Sequence, residues 1–377
     1  MFGAKKKKFI DEKESLEKQV EDYRRQTNLS QKVGGSIMGF AKSGTTIQNC
    51  IETEGQIESC TYLDSLSEPP AIVYHYSEDD EAKLFLVGDV AGRGKPASLI
   101  AVYIKGLFEQ AADSYKISGG TTWIGNTLME INQKLSEKGL FDRFVSINIL
   151  LVWKQSGIAY LWSMGGAPIF LFRKTKGQLK KYEINQSPAL GIFDSDLLKI
   201  QGGDSFGPKK ITLQTGDSLL LIDDGFDESI RPQVTENQKE DEDENEEFGV
   251  EWVEQVLKAA LTGGKVEIPA PDHSFQWCMN MEGISPTPKN TLLSLVAAEK
   301  LFRLSPVKTK SSAAASNAAK DTAKATTEMI QLLGKLVDNG SFQVGDDRAD
   351  ETEEHSLTGY TELPQLDEQF ALAIRRS

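Results

Sequence analysis

The apolar positions of this chain change period along its length. Residues 72–76 (Ile72-Val-Tyr-His-Tyr76) and 82–87 (Ala82-Lys-Leu-Phe-Leu-Val87) are rich in β-branched and aromatic side chains. The polar stretch 77–81 separates them, which predicts a hairpin. Strand-like character starts near Thr45 and is interrupted by Pro69 and Pro70. The spacing then becomes helical. Leu99, Val102, Tyr103, Leu107, Phe108 and Ala111 mark one face of residues 97–114, and Ile124, Leu128, Ile131 and Leu135 one face of residues 122–137, with Gly119-Gly120 between them. Strand-like runs return at 144–153, 158–163, 168–172 and 211–222, joined by short turns such as Lys154-Gln-Ser-Gly157 and Lys174-Thr-Lys-Gly177. Two helices followed by consecutive strands predict an α+β fold with mainly antiparallel sheets rather than alternating βαβ units.

The ends of the chain read differently. Phe9, Leu16, Val20 and Tyr23 fall at spacings of seven, four and three, which predicts a short amphipathic helix within residues 1–44, behind a basic tail at Lys5 to Lys8. Such a helix either docks on the main domain, 45–377, or pairs two copies into a homodimer. Residues 236–247 are acidic and 313–327 are of low complexity, so polar insertions are expected at about 233–247 and 265–365. Residues 252–261 and 292–301 nonetheless have helical patterns. Residues 370–374 restore a strand pattern, expected to close a sheet begun much earlier.

Composition narrows the function. A formal net charge of −14 and a pI near 4.9 argue against nucleic acid as a partner, because phosphate backbones call for a cationic surface. Cys50, Cys60 and Cys278 lack the close pairing of a zinc site and suggest a reducing compartment. No apolar run reaches the length of a membrane span, and the N-terminus lacks the apolar core of a signal peptide, so a cytoplasmic location is expected.

Two aspartates stand out against this background. Asp89 and Asp224 each end an apolar strand-like run and are each followed closely by glycine, a placement suited to a hard cation. The Val90 carbonyl offers a further oxygen, and Asp367 or Glu368, just before the last strand, a third carboxylate. Oxygen-only ligands favour magnesium or manganese, and two such ions can activate water for in-line attack on phosphorus. A strand-end aspartate also commonly caps a turn. Gly92-Arg-Gly94-Lys-Pro-Ala97 fits a loose dinucleotide pattern, with Asp113 about twenty residues on, but a second helix follows where a βαβ unit would continue. A Walker A loop fails because Pro96 stands where Ser or Thr would follow the lysine.

Five blocks in order resemble the PPM-type (protein phosphatase 2C-like) metal-dependent serine/threonine phosphatases, in the bacterial branch of the stage II sporulation and stress-sigma-factor regulator phosphatases. They are residues 88–97, 144–147, 164–171, 188–192 and 215–228, within a resemblance that spans about 57–377 apart from the insertions. The resemblance implies a four-layer αββα sandwich of two mainly antiparallel sheets flanked by helices, with a binuclear Mn2+ or Mg2+ centre at one end. It implies that Asp89 bridges both ions, Asp224 binds the first, and Asp367 is the acidic residue before the terminal strand. It further implies direct attack of metal-activated water on phosphoserine or phosphothreonine, with a phosphoprotein substrate such as an anti-sigma-factor antagonist in partner switching.

The departures matter as well. Thr61 stands where the family carries a carboxylate for the second ion, so that site is expected to be weaker unless Asp64 shifts in. Residues 367–370 (Asp367-Glu-Gln-Phe370) keep acidity but lose the family's threonine. Arg93, between the two glycines, is a candidate contact for the substrate phosphate. These changes leave a second expectation, a phosphatase-fold binding module without turnover.

Overall fold

The computed structural model describes residues 50–64, 70–92, 94–136, 143–182, 187–202, 207–232, 245–269, 276–306, 344–345, 360–362 and 369–377. The elements run in the order β1 (Cys50–Thr53), β2 (Ile57–Asp64), β3 (Ile72–Glu78), β4 (Ala82–Val90), α1 (Lys95–Ser114), α2 (Thr122–Ser136), β5 (Val145–Trp153), β6 (Ile158–Met164), β7 (Ile169–Arg173), β8 (Gln178–Lys181), α3 (Ser195–Gly202), β9 (Lys209–Thr212), β10 (Ser218–Ile222) and α4 (Asp224–Asp227). Then follow β11 (Ile230–Pro232), β12 (Asn245–Glu247), α5 (Gly249–Thr262), β13 (Lys265–Pro269), β14 (Gln276–Asn280), α6 (Pro288–Phe302), β15 (Leu304–Pro306), β16 (Val344–Gly345), β17 (Tyr360–Glu362) and β18 (Gln369–Arg376).

Two antiparallel sheets carry the fold. One has the order β1-β2-β18-β10-β7-β8 and the other β3-β4-β5-β6-β9. Side chains alternate across each strand, so each sheet has two faces to bury, and three apolar layers result. Phe85, Val87, Leu150, Leu161, Leu219, Leu221 and Leu372 fill the space between the sheets. Leu84, Leu86, Ile147 and Ile149 pack against Ile100, Ile104, Phe108 and Leu128 of α1 and α2. Tyr62, Leu220, Ile222 and Ala371 pack against Val256 of α5 and Leu292 and Val296 of α6 on the far side. Helix, sheet, sheet, helix is the stacking that the resemblance implied.

The predicted hairpin forms between β3 and β4, and the two predicted helices form with their ends within two residues of expectation. The C-terminal strand β18 inserts between β2 and β10, closing a sheet whose first strands lie three hundred residues earlier. One expectation needs correction. Residues 211–222 are not one strand but the end of β9 and all of β10, which lie in different sheets. The turn between them holds Gly216 at φ +86° and is fastened by the buried Asp217. Its carboxylate accepts from the Gln214 and Lys174 backbone N–H groups and from Arg173 Nη1 at 2.6 Å. Part of the 265–365 stretch expected as insertion is ordered: β13, β14 and α6 belong to it, and α6 is among the most buried helices of the molecule. The predicted N-terminal helix lies outside the described residues, as does the low-complexity run 313–327.

Candidate metal centre

The layer between the sheets is apolar for most of its length and turns polar at one end. Along β4 the inward side chains read Phe85, Val87, Asp89; along β5, Val152, Leu150, Asn148, Ser146; along β6, Ala159, Leu161, Ser163; along β10 and just beyond it, Leu219, Leu221, Asp223. The registers bring these ends together on one sheet, with Asp89 opposite Ser146 and Asn148 opposite Ser163. Several of the polar atoms are buried without a protein hydrogen-bond partner: both side-chain heteroatoms of Asn148, Ser163 Oγ, and one carboxyl oxygen each of Asp223 and Asp227. Buried polar atoms left in this state call for water or a cation.

Asp89 is the next-to-last residue of β4, half-buried, and the chain turns immediately after it. Gly88 lies against β5, where a Cβ would fall 2.3 Å from the Ser146 carbonyl oxygen. Gly92 has φ +94°, and a Cβ there would overlap Arg143 Nη1 at 1.5 Å. That guanidinium donates to the Ala91 carbonyl at 2.6 Å, and the Ala91 N–H donates to the Phe144 carbonyl at 2.9 Å. The loop after Asp89 is therefore held from the start of β5. Arg143 did not stand out in the sequence, because it carries no motif and lies fifty residues from the loop it grips. Arg93 lies outside the described residues.

From the other sheet, β10 ends at Ile222 and delivers Asp223 inward and Asp224 to an exposed position at the start of α4. The turn is strapped to the final strand. The Asp223 N–H donates to the Phe370 carbonyl, the Phe370 N–H donates to Asp223 Oδ2 at 2.6 Å, and Gln369 Nε2 donates to the Gly225 carbonyl at 3.0 Å. Burial holds the Asp223 carboxyl well above its ordinary range, with the charges of Asp224, Asp89 and Asp227 pushing the same way against the Phe370 N–H. Burial, with Asp224 and Glu228 adding, pushes Asp227 up to about 6. Asp89, Asp223, Asp224 and Asp227 thus share one electrostatic environment. Asp367, two positions before Gln369, lies outside the described residues.

Asp64 is placed elsewhere. It sits on the face of β2 that carries Tyr62, whose hydroxyl donates to it at 3.1 Å, and it is close in charge terms to Lys300, Glu299 and Arg303 of α6 and its end. Burial raises its carboxyl, an effect Lys300 opposes. Thr61, fully buried, points to the opposite face, toward the Tyr74 hydroxyl. A one-residue difference in parity therefore separates Asp64 from the space Thr61 faces.

The donors fit a hard divalent cation in chemistry: all are oxygens, two carboxyl oxygens are buried and unpartnered, and the carboxylates repel one another in its absence. Among the described residues, no three acidic, His or Cys side chains converge closely enough to complete a metal site by themselves. No described helix is long and apolar enough to cross a membrane.

Residues 79–266 match the family model described as Stage II sporulation protein E (SpoIIE). A search of curated proteins returned no match. Among solved structures, RsbX in complex with magnesium is 12% identical, covering 87% of this chain and 100% of that chain, with a TM-score of 0.42. The PP2C phosphatase domain and regulatory-domain fragment of SpoIIE from Bacillus subtilis is 12% identical, covering 86% of this chain and 64% of that chain, at 0.43. The catalytic domain of the serine threonine protein phosphatase PstP in complex with two manganese ions is 10% identical, covering 85% and 97%, at 0.40. Likenesses this distant carry no argument about activity.

Proposed function

Because the chain carries a SpoIIE-type PP2C phosphatase domain, we propose that it is a divalent-metal-dependent protein serine/threonine phosphatase. The observation that supports this most directly is the polar end of the intersheet layer, where two sheets bring Asp89 and the Asp223–Asp227 turn into one electrostatic neighbourhood that includes unpartnered carboxyl oxygens. Asp89, Asp224 and Asp367, with the Val90 carbonyl, are the residues assigned to the cation. Mn2+ or Mg2+ bound there would lower the pKa of a water molecule and offset phosphate charge.

The remaining work falls to the chain's own groups. Arg143 fixes the loop after Asp89, and Arg93 is the residue assigned to the substrate phosphate. The strap from Phe370 and Gln369 fixes the turn that carries Asp224. A strand-built site with backbone-fastened loops is preorganised, so little of the binding energy is spent on ordering it. The substrate class follows the family: a phosphoserine or phosphothreonine protein, in the partner-switching setting an anti-sigma-factor antagonist.

The test is initial-rate hydrolysis of p-nitrophenyl phosphate and of a phosphoserine peptide under titrated Mn2+ or Mg2+, comparing wild type with Asp89→Asn. Turnover that requires the metal and is lost in the variant is expected. Absence of turnover in wild type at saturating Mn2+ would replace the enzyme with a phosphoprotein-binding module.

A further inference from the structure

At the end of β10 away from Asp223 lies a cavity of about 240 Å³. It forms where one cross-strand row of the sheet faces the helices. Phe172 of β7, Ser218 of β10 and Arg375 of β18 are register partners across three strands. Leu220 and Ala373, two residues along from Ser218 and Arg375, pack on the α5 and α6 side, so the two-residue period of a strand turns this row the same way. Ser218 is a small side chain between two large ones. The space over it is bounded by Leu261 of α5 and by Pro286, which leads into α6.

The cavity wall carries two cations and no acid. Lys174 reaches it from the turn between β7 and β8. Its stem lies over Gly216, where a Cβ would fall 2.2 Å from Lys174 Cδ, and its backbone N–H donates to Asp217, so the base of the side chain is fixed. The Arg375 guanidinium is steadied by one bond, from Nη1 to the Pro286 carbonyl at 2.8 Å. Asp217, the acid next to this row in the chain, is already engaged by Arg173 and two backbone N–H groups. Among the described residues neither Lys174 nor Arg375 has an acidic partner. The carbonyls that end α5 disfavour an anion and the N–H groups that begin α6 favour one, so the helix ends offset and the two side chains set the sign of the cavity. On a chain of net charge −14, two converging cations without a counter-charge are placed for an anion from outside.

The remaining wall is apolar at Phe172, Leu261 and Pro286. A cavity of about 150 Å³ holds a benzene ring. This one has room for a ring-sized apolar group beside an anionic one.

We propose that the cavity is a binding site for a small phosphomonoester. Its apolar part lies against Phe172, Leu261 and Pro286, and its phosphate meets Lys174 Nζ, the Arg375 guanidinium and the Ser218 hydroxyl. Arginine supplies a planar fork of donors and lysine a compact point charge, which together suit a phosphate dianion. The site needs no metal and does not rest on the phosphatase reading.

The test is calorimetric titration of the full chain in EDTA with phenyl phosphate, inorganic phosphate and benzoate, for wild type, Lys174→Met, Arg375→Met and Asp89→Asn. EDTA withholds divalent ions from the candidate metal centre, so binding there through a metal is removed. One-to-one binding is expected, with phenyl phosphate tighter than the other two probes. Lys174→Met, which keeps the stem over Gly216, and Arg375→Met should each raise Kd about tenfold or more, the loss of one charged donor. Asp89→Asn should leave Kd unchanged. Far-UV circular dichroism checks that each variant folds, and Lys174→Met, at an exposed position, carries the test if Arg375→Met does not. No binding of phenyl phosphate by wild type overturns the site, as does a wild-type Kd in Lys174→Met. Loss of binding in Asp89→Asn assigns it to the candidate metal centre and overturns this site too. Inorganic phosphate or benzoate bound as tightly as phenyl phosphate overturns the ligand class.

Discussion

Gly92 and Arg143 act as a pair. The positive φ of Gly92 is open to glycine and strained for any other residue, and the space its missing Cβ leaves is filled by the Arg143 guanidinium. Gly92→Ala should displace that group from the Ala91 carbonyl, and Arg143→Ala should free the same loop. Each is expected to cut turnover about tenfold, with the double variant close to Gly92→Ala alone, because residues in contact do not contribute independently. Additive losses in kcat/KM would show that Arg143 does not act through this loop. His75 offers a pH-dependent counterpart away from the site. It bonds Ser77 Oγ and packs against Phe108, and burial lowers its pKa below the ordinary 6.5 against the pull of Glu109. The unfolded chain therefore binds a proton more readily, so stability from neutral His75 is present above pH 6.5 and lost as pH falls through the lower folded value. Thermal melts of wild type and His75→Gln from pH 8 to pH 5 should show wild type losing Tm more steeply below 6.5. Parallel curves would remove His75 from the account.

Among the elements, those with a clean period were legible and those defined by a turn were not. The hairpin β3–β4, both helices α1 and α2, and the closing strand β18 follow from period-2 or period-3.6 patterns over long stretches. The division of 211–222 was hidden because Leu213 continues the apolar run while Thr215-Gly216 turns the chain into the other sheet. The hydrogen bonds to the Asp217 carboxylate fix that turn, and two of the three come from Arg173 and Lys174, more than forty residues away, the third from Gln214. Of the candidate site, the strand-end positions of Asp89 and Asp224 were legible, whereas Asp223 was masked by its neighbour, Asn148 acquires its place only through register, and Arg143 only through its bond to the Ala91 carbonyl. The helix α6 shows the converse: its apolar pattern was visible, but the surrounding polar sequence set it apart as insertion. Leu295 on that helix is fully buried in the layer against β2 and β18. Leu295→Ala is expected to cost about 2–5 kcal/mol, the range for a truncated core leucine. Urea unfolding is the measurement, and a midpoint equal to wild type would show that α6 is an accessory to the fold.

At the scale of the whole molecule, the intersheet layer has two ends closed in different ways. At one, Lys83 of β4 crosses to the other sheet, where its buried ammonium donates to Thr53 Oγ1 at 2.7 Å and to the Glu54 and Ile57 carbonyls at 2.8 Å each. At the other, the two sheets present like charges to each other, Asp89 from one and the Asp223–Asp227 turn from the other. Fixed positive charge holds the first end, and the cation proposed for the second would play the equivalent part there. If a divalent ion binds residues of both sheets there, as proposed, it stabilises the folded state by mass action, about 2.7 kcal/mol at a concentration one hundred times its Kd. For a domain of this size that is a rise in Tm of about 5 °C. Differential scanning calorimetry with and without Mn2+ should show that rise in wild type and its loss in Asp89→Asn. Lys83→Met should lower the metal-free Tm, since it strips a charged donor from three acceptors at a cost of about 1.5–3 kcal/mol, yet keep the full response to Mn2+. If Lys83→Met abolished the response, or Asp89→Asn preserved it, the two ends would not be independent clamps and the cation would not be what joins the sheets at the second.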